Sequence, residues 1–398
     1  MRTKVKLKGG ISLIVLVITI IVMIILAAAI ILSLSNSGII SKANKAKTDT
    51  DIASAKDIVA MAHADWTLDE AKIKENDNTI TSFSNYAEKK LQEAGYKVGA
   101  GEGAYTVTED GEVYTGLTET ARAGITAGIK IGDEVKYNAV LTAKRTTTDG
   151  SEQSSTGAAD ITKKQTVKTN TSYTWKYIGL GEDGSLLIAP DMTGTIGADY
   201  RLTLGDIGGY LNGPKMLNII CDALYTVAGK GKAQSMNIEL VNKLLEYNGP
   251  KGKYWDANEN PIENSEPMTI AELETKFNSK LARDYVPEGK DLGEYKSDYY
   301  SINKTSHANR ITKDTVKQNL VYQTNGYWLA STCGYAHFIS GYAFFGVRCV
   351  DSSNVADVSM FSSDGSSGGE GYAVRPYVSL TSNVQKTTEN GKTVWTLS

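Results

Sequence analysis

The side chains able to do chemistry are few in this chain and are seldom in useful company. Cys221, Cys333 and Cys349 show no CxxC spacing that would suggest zinc, and they do not make a disulfide framework. His63, His307 and His337 are too dispersed to propose a metal cluster, and an isolated histidine is usually solvent-facing or a satisfied structural residue. A phosphate-cradling loop needs Gly-x-x-x-x-Gly-Lys-Ser/Thr; Gly229-Lys-Gly-Lys232 lacks the spacing and the preceding strand. Asp351, Asn354, Asp357 and Asp364 are of the ligand types calcium takes, but their spacing matches no calcium loop, and solvated loop positions are the favoured reading. Arg348 and Arg375 each follow a valine. Either they hold an anion bidentately or, as favoured here, they satisfy buried carbonyls or a carboxylate and so brace the loops around them. No metal or cofactor is expected.

What positions these residues is the stretch from Tyr327 to Leu380. Short pieces rich in aromatic and β-branched residues, Tyr327–Ser331, Phe345–Arg348 and Val374–Leu380, fit strands of a half-buried sheet. Between them Tyr, Ser, Gly, Phe, Asp, Asn and His crowd together, and no Lys, Gln or Trp occurs from Thr332 to Gly371. Tyr and Phe give large contact area with few torsions to freeze, while Ser, Gly, Asn and Asp give adaptable hydrogen bonding, so the mixture is that of a binding surface. A flexible Gly/Ser loop fits Ser362–Gly371 best and Tyr335–Phe345 poorly.

On these residues the segment resembles the variable region of diversity-generating retroelement variable proteins, whose C-type lectin-like domain ends in WLAS, then FGVR, then GVRPVVSL. The counterparts are Trp328–Ser331, Phe345–Arg348 and Ala373–Leu380, with Ala373 in place of Gly and Tyr377 in place of Val. In that family a reverse transcriptase randomises template adenines, typically in AAC codons, which reach Tyr, Ser, Phe, Gly, Asp, His, Cys and Asn but never Lys, Gln, Glu, Met or Trp. The resemblance implies a ligand-binding face of Tyr335, His337, Phe338, Ser340, Tyr342 and Phe344, continuing through Cys349, Asp351, Ser352, Asn354 and Asp357. It further takes in Ser359, Phe361, Ser362, Asp364 and Ser366, with Gly368 and Gly369 also reachable. Trp328, Gly346, Arg348, Arg375 and Pro376 are the implied framework, and Met360 is read as an apolar framework position. Formylglycine-generating enzymes share the lectin-like fold and use cysteines near the carboxyl end. Cys349, however, stands where the family varies the residue, and no base or metal set accompanies it, so no enzyme is expected.

At the amino end, Arg2, Lys4, Lys6 and Lys8 precede an uncharged run from Ile11 to Leu32. At about 1.5 Å per residue this run is long enough to cross a hydrocarbon core of about 30 Å. The basic residues put the amino end in the cytoplasm and the rest outside. Lys8-Gly-Gly-Ile-Ser-Leu-Ile14 resembles the type IV prepilin signal, which implies a leader of residues 1–10, cut between Gly10 and Ile11, although Val15 stands where that family has Glu. Apolar residues recur at helical spacing from Ile39 to Ala62.

The fold expected is α+β: a long pilin-like helix over 11–65, half membrane-spanning and half amphipathic, then a connecting region over 66–128 with a helix and a hairpin turning at Glu109-Asp110-Gly111. A C-type lectin-like domain follows over 129–398, its variable region at 332–371. Trp175–Leu180 with Leu186–Ala189 is expected as a hairpin, and Gly209–Tyr225 and Ile238–Tyr247 as helices. The net charge of -3 argues against nucleic-acid partners. The function expected is adhesion at the cell surface, membrane-anchored or pilus-associated, to a protein or glycan on another cell, phage or host through a diversified face, with the membrane, other pilins and a prepilin peptidase as further partners. The alternative is a structural minor pilin or pseudopilin whose C-terminal domain caps or initiates a fibre without diversified binding.

Overall fold

The computed structural model describes residues 39–137, 139, 146–147, 165–166, 173–192, 201–249, 254–255, 261–262, 300–337, 342–362 and 368–398. They divide into two compact units. One takes the chain up to Val98 with Val107–Thr115; the other takes Gly99–Thr106 and Gly116–Ser398.

In the first unit, helix α1 (Ile39–Asn76) packs against helix α2 (Phe83–Glu93). Ala55, Val59 and Ala62, at helical spacing, are the buried seam of α1. Trp66 extends it, its ring 6.2 Å from Phe83 and 5.8 Å from Tyr86. Backbone geometry leaves the helix at Asp69 (φ -149, ψ 40), a residue type that favours helix starts, so two helical rods meet there. The Ser82 hydroxyl caps α2 by accepting from the Asn85 N–H. The Glu109 carboxylate reaches the same helix end, accepting from the Phe83 and Ser84 N–H groups and the Ser84 hydroxyl. Burial pushes Glu109 up, but these hydrogen bonds outweigh it and hold the carboxyl below the usual range.

The expected fold class needs correction. The structure is mixed α/β, about 34% helix and 33% strand, and among the described residues no helix is long and apolar enough to cross a membrane. The described helix nearest the amino end, α1, is studded with Lys and Asp, and its Met61 and Leu68 are 70% and 84% exposed, so it has a narrow packing seam and no apolar girth. The run from Ile11 to Leu32, with the Gly10–Ile11 junction, lies outside the described residues. Strands and helices also alternate in the second unit, as the order of elements there makes plain.

The hairpin of β1 (Tyr105–Val107) and β2 (Val113–Thr115) precedes helix α3 (Glu119–Thr126) and strand β3 (Glu134–Lys136). Then come β4 (Thr174–Leu180), β5 (Leu186–Asp191), β6 (Arg201–Gly205), helix α4 (Asp206–Tyr225), β7 (Gly231–Ser235) and helix α5 (Ile238–Leu245). Strand β8 (Ile302–Asn303) and helix α6 (Thr315–Val321) lead to the long strands β9 (Tyr327–His337), β10 (Tyr342–Val350) and β11 (Asn354–Ser362). The chain ends with β12 (Gly369–Ala373), β13 (Pro376–Leu380), β14 (Val384–Glu389) and β15 (Lys392–Leu397).

Two larger sheets form among the described residues, beside two-stranded pairs such as β1–β2. One has the order β8-β11-β10-β9-β12-β6; the other has β14-β15-β3-β4-β5-β13-β7. The last strand runs parallel to β3, so the end of the chain pairs with the first strand of its own sheet. The β14–β15 hairpin closes through Asn390-Gly391, both at positive φ (50° and 77°), the geometry a two-residue turn needs to match strand twist. Helix α4 packs against strands of both sheets, with Leu217, Ile220, Cys221 and Leu224 buried along one side.

The chain crosses from the six-stranded to the seven-stranded sheet at Val374-Arg375, between β12 and β13. Arg375 is fully buried there. Its Nε and Nη2 donate to the Pro190 carbonyl (3.2 and 3.1 Å), and its Nη1 donates to the Leu320 carbonyl (2.7 Å) and the Tyr327 hydroxyl (3.0 Å). One guanidinium thus ties β5, α6 and β9 to the crossover.

Removing a buried, fully engaged charge orphans its acceptors. Arg375→Ala is predicted to cost about 3–5 kcal/mol in chemical denaturation, and Arg375→Lys, which cannot reproduce the planar fork, is predicted to recover less than half of it. In the first unit the depressed Glu109 carboxyl contributes stability above its unfolded pKa of about 4.3, and that stability is lost as pH falls through the lower folded value. Glu109→Gln should therefore lower stability by about 0.5–1 kcal/mol at neutral pH, allowing for exposure, and the gap from wild type should close in melts near pH 3.

Candidate functional site

The candidate face belongs to β9, β10 and β11, held from below by framework side chains. Trp328 on β9 is 0% exposed, and its indole N–H donates to the Leu202 carbonyl on β6 (2.7 Å). The bond spans β12, whose Tyr372 ring meets the Trp328 ring edge-on at 4.9 Å. Arg348 on β10 is also buried; it lies over the Tyr300 ring (4.4 Å to the centroid) and donates to the Tyr300 carbonyl (2.9 Å). Tyr300 stacks on Tyr247 at 5.4 Å, and its hydroxyl accepts from the Asn242 amide. Phe345 packs edge-on to Tyr210 of α4, and Met360, Val347 and Pro376 are buried.

The residues expected to face a ligand do not form one class. Phe344 is half-buried and paired in register with Tyr335 and Ser362. Tyr335, His337, Tyr342 and Phe361 lie on the strands, with His337 opposite Tyr342 and Phe361 opposite Phe345, and their side chains lie outside the described features. Phe338, Ser340, Asp364 and Ser366 fall outside the described residues. Ser352 is exposed, and Asp357 and Ser359 are half-buried on β11.

Others are committed to the fold. Cys349 and Ser362 are only 4% and 3% exposed, so neither side chain is offered to a ligand. Burial, followed by the Asp357 charge, pushes the Cys349 thiol up to about 12, so it stays protonated at neutral pH. Cys333 pairs in register with Gly346 and Cys349 with Trp328, which leaves the two cysteines apart on their ladder. Asp351 closes the β10–β11 turn by accepting from the N–H groups of Ser353 and Asn354, each at 2.7 Å. Asn354 donates back to Asp351 and accepts from the Asn303 amide (2.6 Å). Asp357 lies opposite Arg348, and a Cβ added at Gly346 would meet its carboxylate at 2.7 Å. At Gly368 a Cβ would fall 2.6 Å from the Ser359 carbonyl, and at Gly369 2.8 Å from that of Leu204. Neither glycine has room for the side chains that the codon argument allows. Among the described residues no three metal-ligating side chains converge.

A groove of about 670 Å³ lies on the seven-stranded sheet, at Tyr377, Gln234, Asp183, Glu239 and Lys243. Its polar groups face one another: the Tyr377 hydroxyl donates to Gln234, and Lys243 donates to the Leu180 carbonyl (2.6 Å). Burial, with Asp183 and Glu182 nearby, pushes the Tyr377 phenol up. In the sequence the groove is marked only by Tyr377, which stands where the family it resembles has valine.

These placements predict a graded response to substitution. Gly368→Ala should destabilise by more than about 1 kcal/mol and Asp351→Ala by about 1–2 kcal/mol, whereas Ser352→Tyr should stay within about 0.5 kcal/mol of wild type in urea unfolding. No family model, curated protein or solved structure matches the chain.

Proposed function

We propose that this is a non-enzymatic recognition protein of the retroelement-diversified kind, binding a protein or glycan surface through side chains carried on β9–β11. The observation that carries the reading is the division within residues 327–380. The residues matching the family framework, Trp328, Arg348 and Arg375, are buried and each donates to at least one backbone carbonyl, while Phe344, Ser352 and Ser359 between them retain exposure. Exchange at such positions costs stability little, and a few aromatic side chains can dominate an interface.

The face proposed is narrower than composition alone suggests. Cys349, Asp351, Asn354 and Ser362 belong to its support, and so do Gly368 and Gly369. Sequencing the gene in sister cells provides the test. Amino-acid changes should concentrate in the codons of the accessible positions, with a near-identical template repeat and a reverse transcriptase gene beside the locus. Substitutions spread evenly along the chain, or predominantly silent at those codons, would overturn the proposal.

A further inference from the structure

We infer that His307 is a pH-sensitive latch on the β10–β11 turn. The Nδ1 atom of His307 accepts the Asn303 N–H at 2.9 Å, while the His307 N–H donates to the Asn303 carbonyl at 3.0 Å. The pair is reciprocal, like a capping box with imidazole as the returning acceptor. Asn303 is thereby fixed, and its side-chain oxygen takes the N–H groups of Thr305 (2.9 Å) and Ser306 (2.8 Å). The Asn303 amide then donates to Asn354, which donates to Asp351, the residue that closes the turn. Backbone contacts run alongside: Asn303 pairs with Asn354 in register, and the Lys304 N–H donates to the Ser353 carbonyl at 2.8 Å.

An imidazole ring nitrogen accepts a hydrogen bond only while unprotonated; in the imidazolium both nitrogens are donors. Protonation therefore sets a donor against the Asn303 N–H and withdraws one of the contacts that fix Asn303, the residue paired with Asn354. A free imidazole titrates near pH 6.5, which sets the pH interval over which the latch is to be tested. Lys304 and Arg310 stand on its own turn, Asp351 on the facing turn, and Tyr322 follows α6, with Lys304 over its ring at 5.7 Å; the Ser306 hydroxyl lies 3.4 Å from the same Nδ1. The half-buried setting of His307 lets a proton reach the ring without unfolding.

Hydrogen exchange by mass spectrometry on the full chain, with labelling times corrected for intrinsic exchange, tests the latch. Between about pH 7.5 and pH 5, peptides covering residues 301–306 and 351–356 should lose protection about tenfold in wild type, with a midpoint at the His307 titration followed by NMR. In His307→Gln, whose side-chain oxygen accepts but does not titrate, the same peptides should be insensitive to pH. Equal pH dependence in both proteins overturns the latch. Should the variant fail to fold, a wild-type response that is absent, or whose midpoint departs from the imidazole titration, overturns it equally. The exchange result does not depend on the proposed recognition face, so the latch and that reading can fail separately.

Discussion

Everything in the second unit that can be called a frame depends on the buried guanidinium of Arg375. A cation in the interior is costly unless well hydrogen-bonded, and here each guanidinium nitrogen donates, to three partners on three elements: a β5 carbonyl, an α6 carbonyl and a β9 hydroxyl. Because the residue sits where the chain changes sheets, the same interaction fixes the relation between the six-stranded and seven-stranded sheets. Tyr327 feels it as well: its ring lies 4.8 Å below the guanidinium, and its hydroxyl donates onward to the Val321 carbonyl. Side chains on β9 to β11 are therefore carried by strands whose backbone is fixed from behind, which is the condition for varying one surface without losing the fold.

That support extends outward in layers. Trp328 ties β9 to β6 across β12, and Arg348 ties β10 to Tyr300 and through it to Tyr247. The β10–β11 turn is held by Asp351 and Asn354, residues whose types suit a ligand contact equally well. A polar residue in a loop rich in Ser, Asp and Asn is equally suited to serve the backbone or a ligand, and only geometry separates the two uses.

Much of the scaffold was legible in the sequence, and the reasons are local. The hairpins at residues 105–115 and 174–191 show alternation and Gly-containing turns, and Leu217, Ile220 and Leu224 mark α4 by their spacing. Strand β7 was not legible: Gly-Lys-Ala-Gln-Ser carries no strand-favouring residue. It is a strand because β13 pairs along it, while Asn218 and Thr226 accept from its other backbone N–H groups. The closing hairpin was overlooked although Asn390-Gly391 announces it. In the candidate site, the identities of Trp328, Arg348 and Arg375 stood out, but their partners are distant in the chain and no spacing rule finds them. The burial of Cys349 and Ser362 likewise follows from three-dimensional neighbours that a codon argument does not contain.

The most direct measurement of the central claim is a saturation substitution scan of residues 327–380, read by the folded yield of displayed protein after protease challenge. The account predicts tolerance at Phe344, Ser352 and Ser359 and steep loss at Trp328, Gly346, Arg348, Cys349 and Arg375. Uniform tolerance across both sets, or steep loss at the accessible positions, would contradict a stiff frame bearing exchangeable side chains.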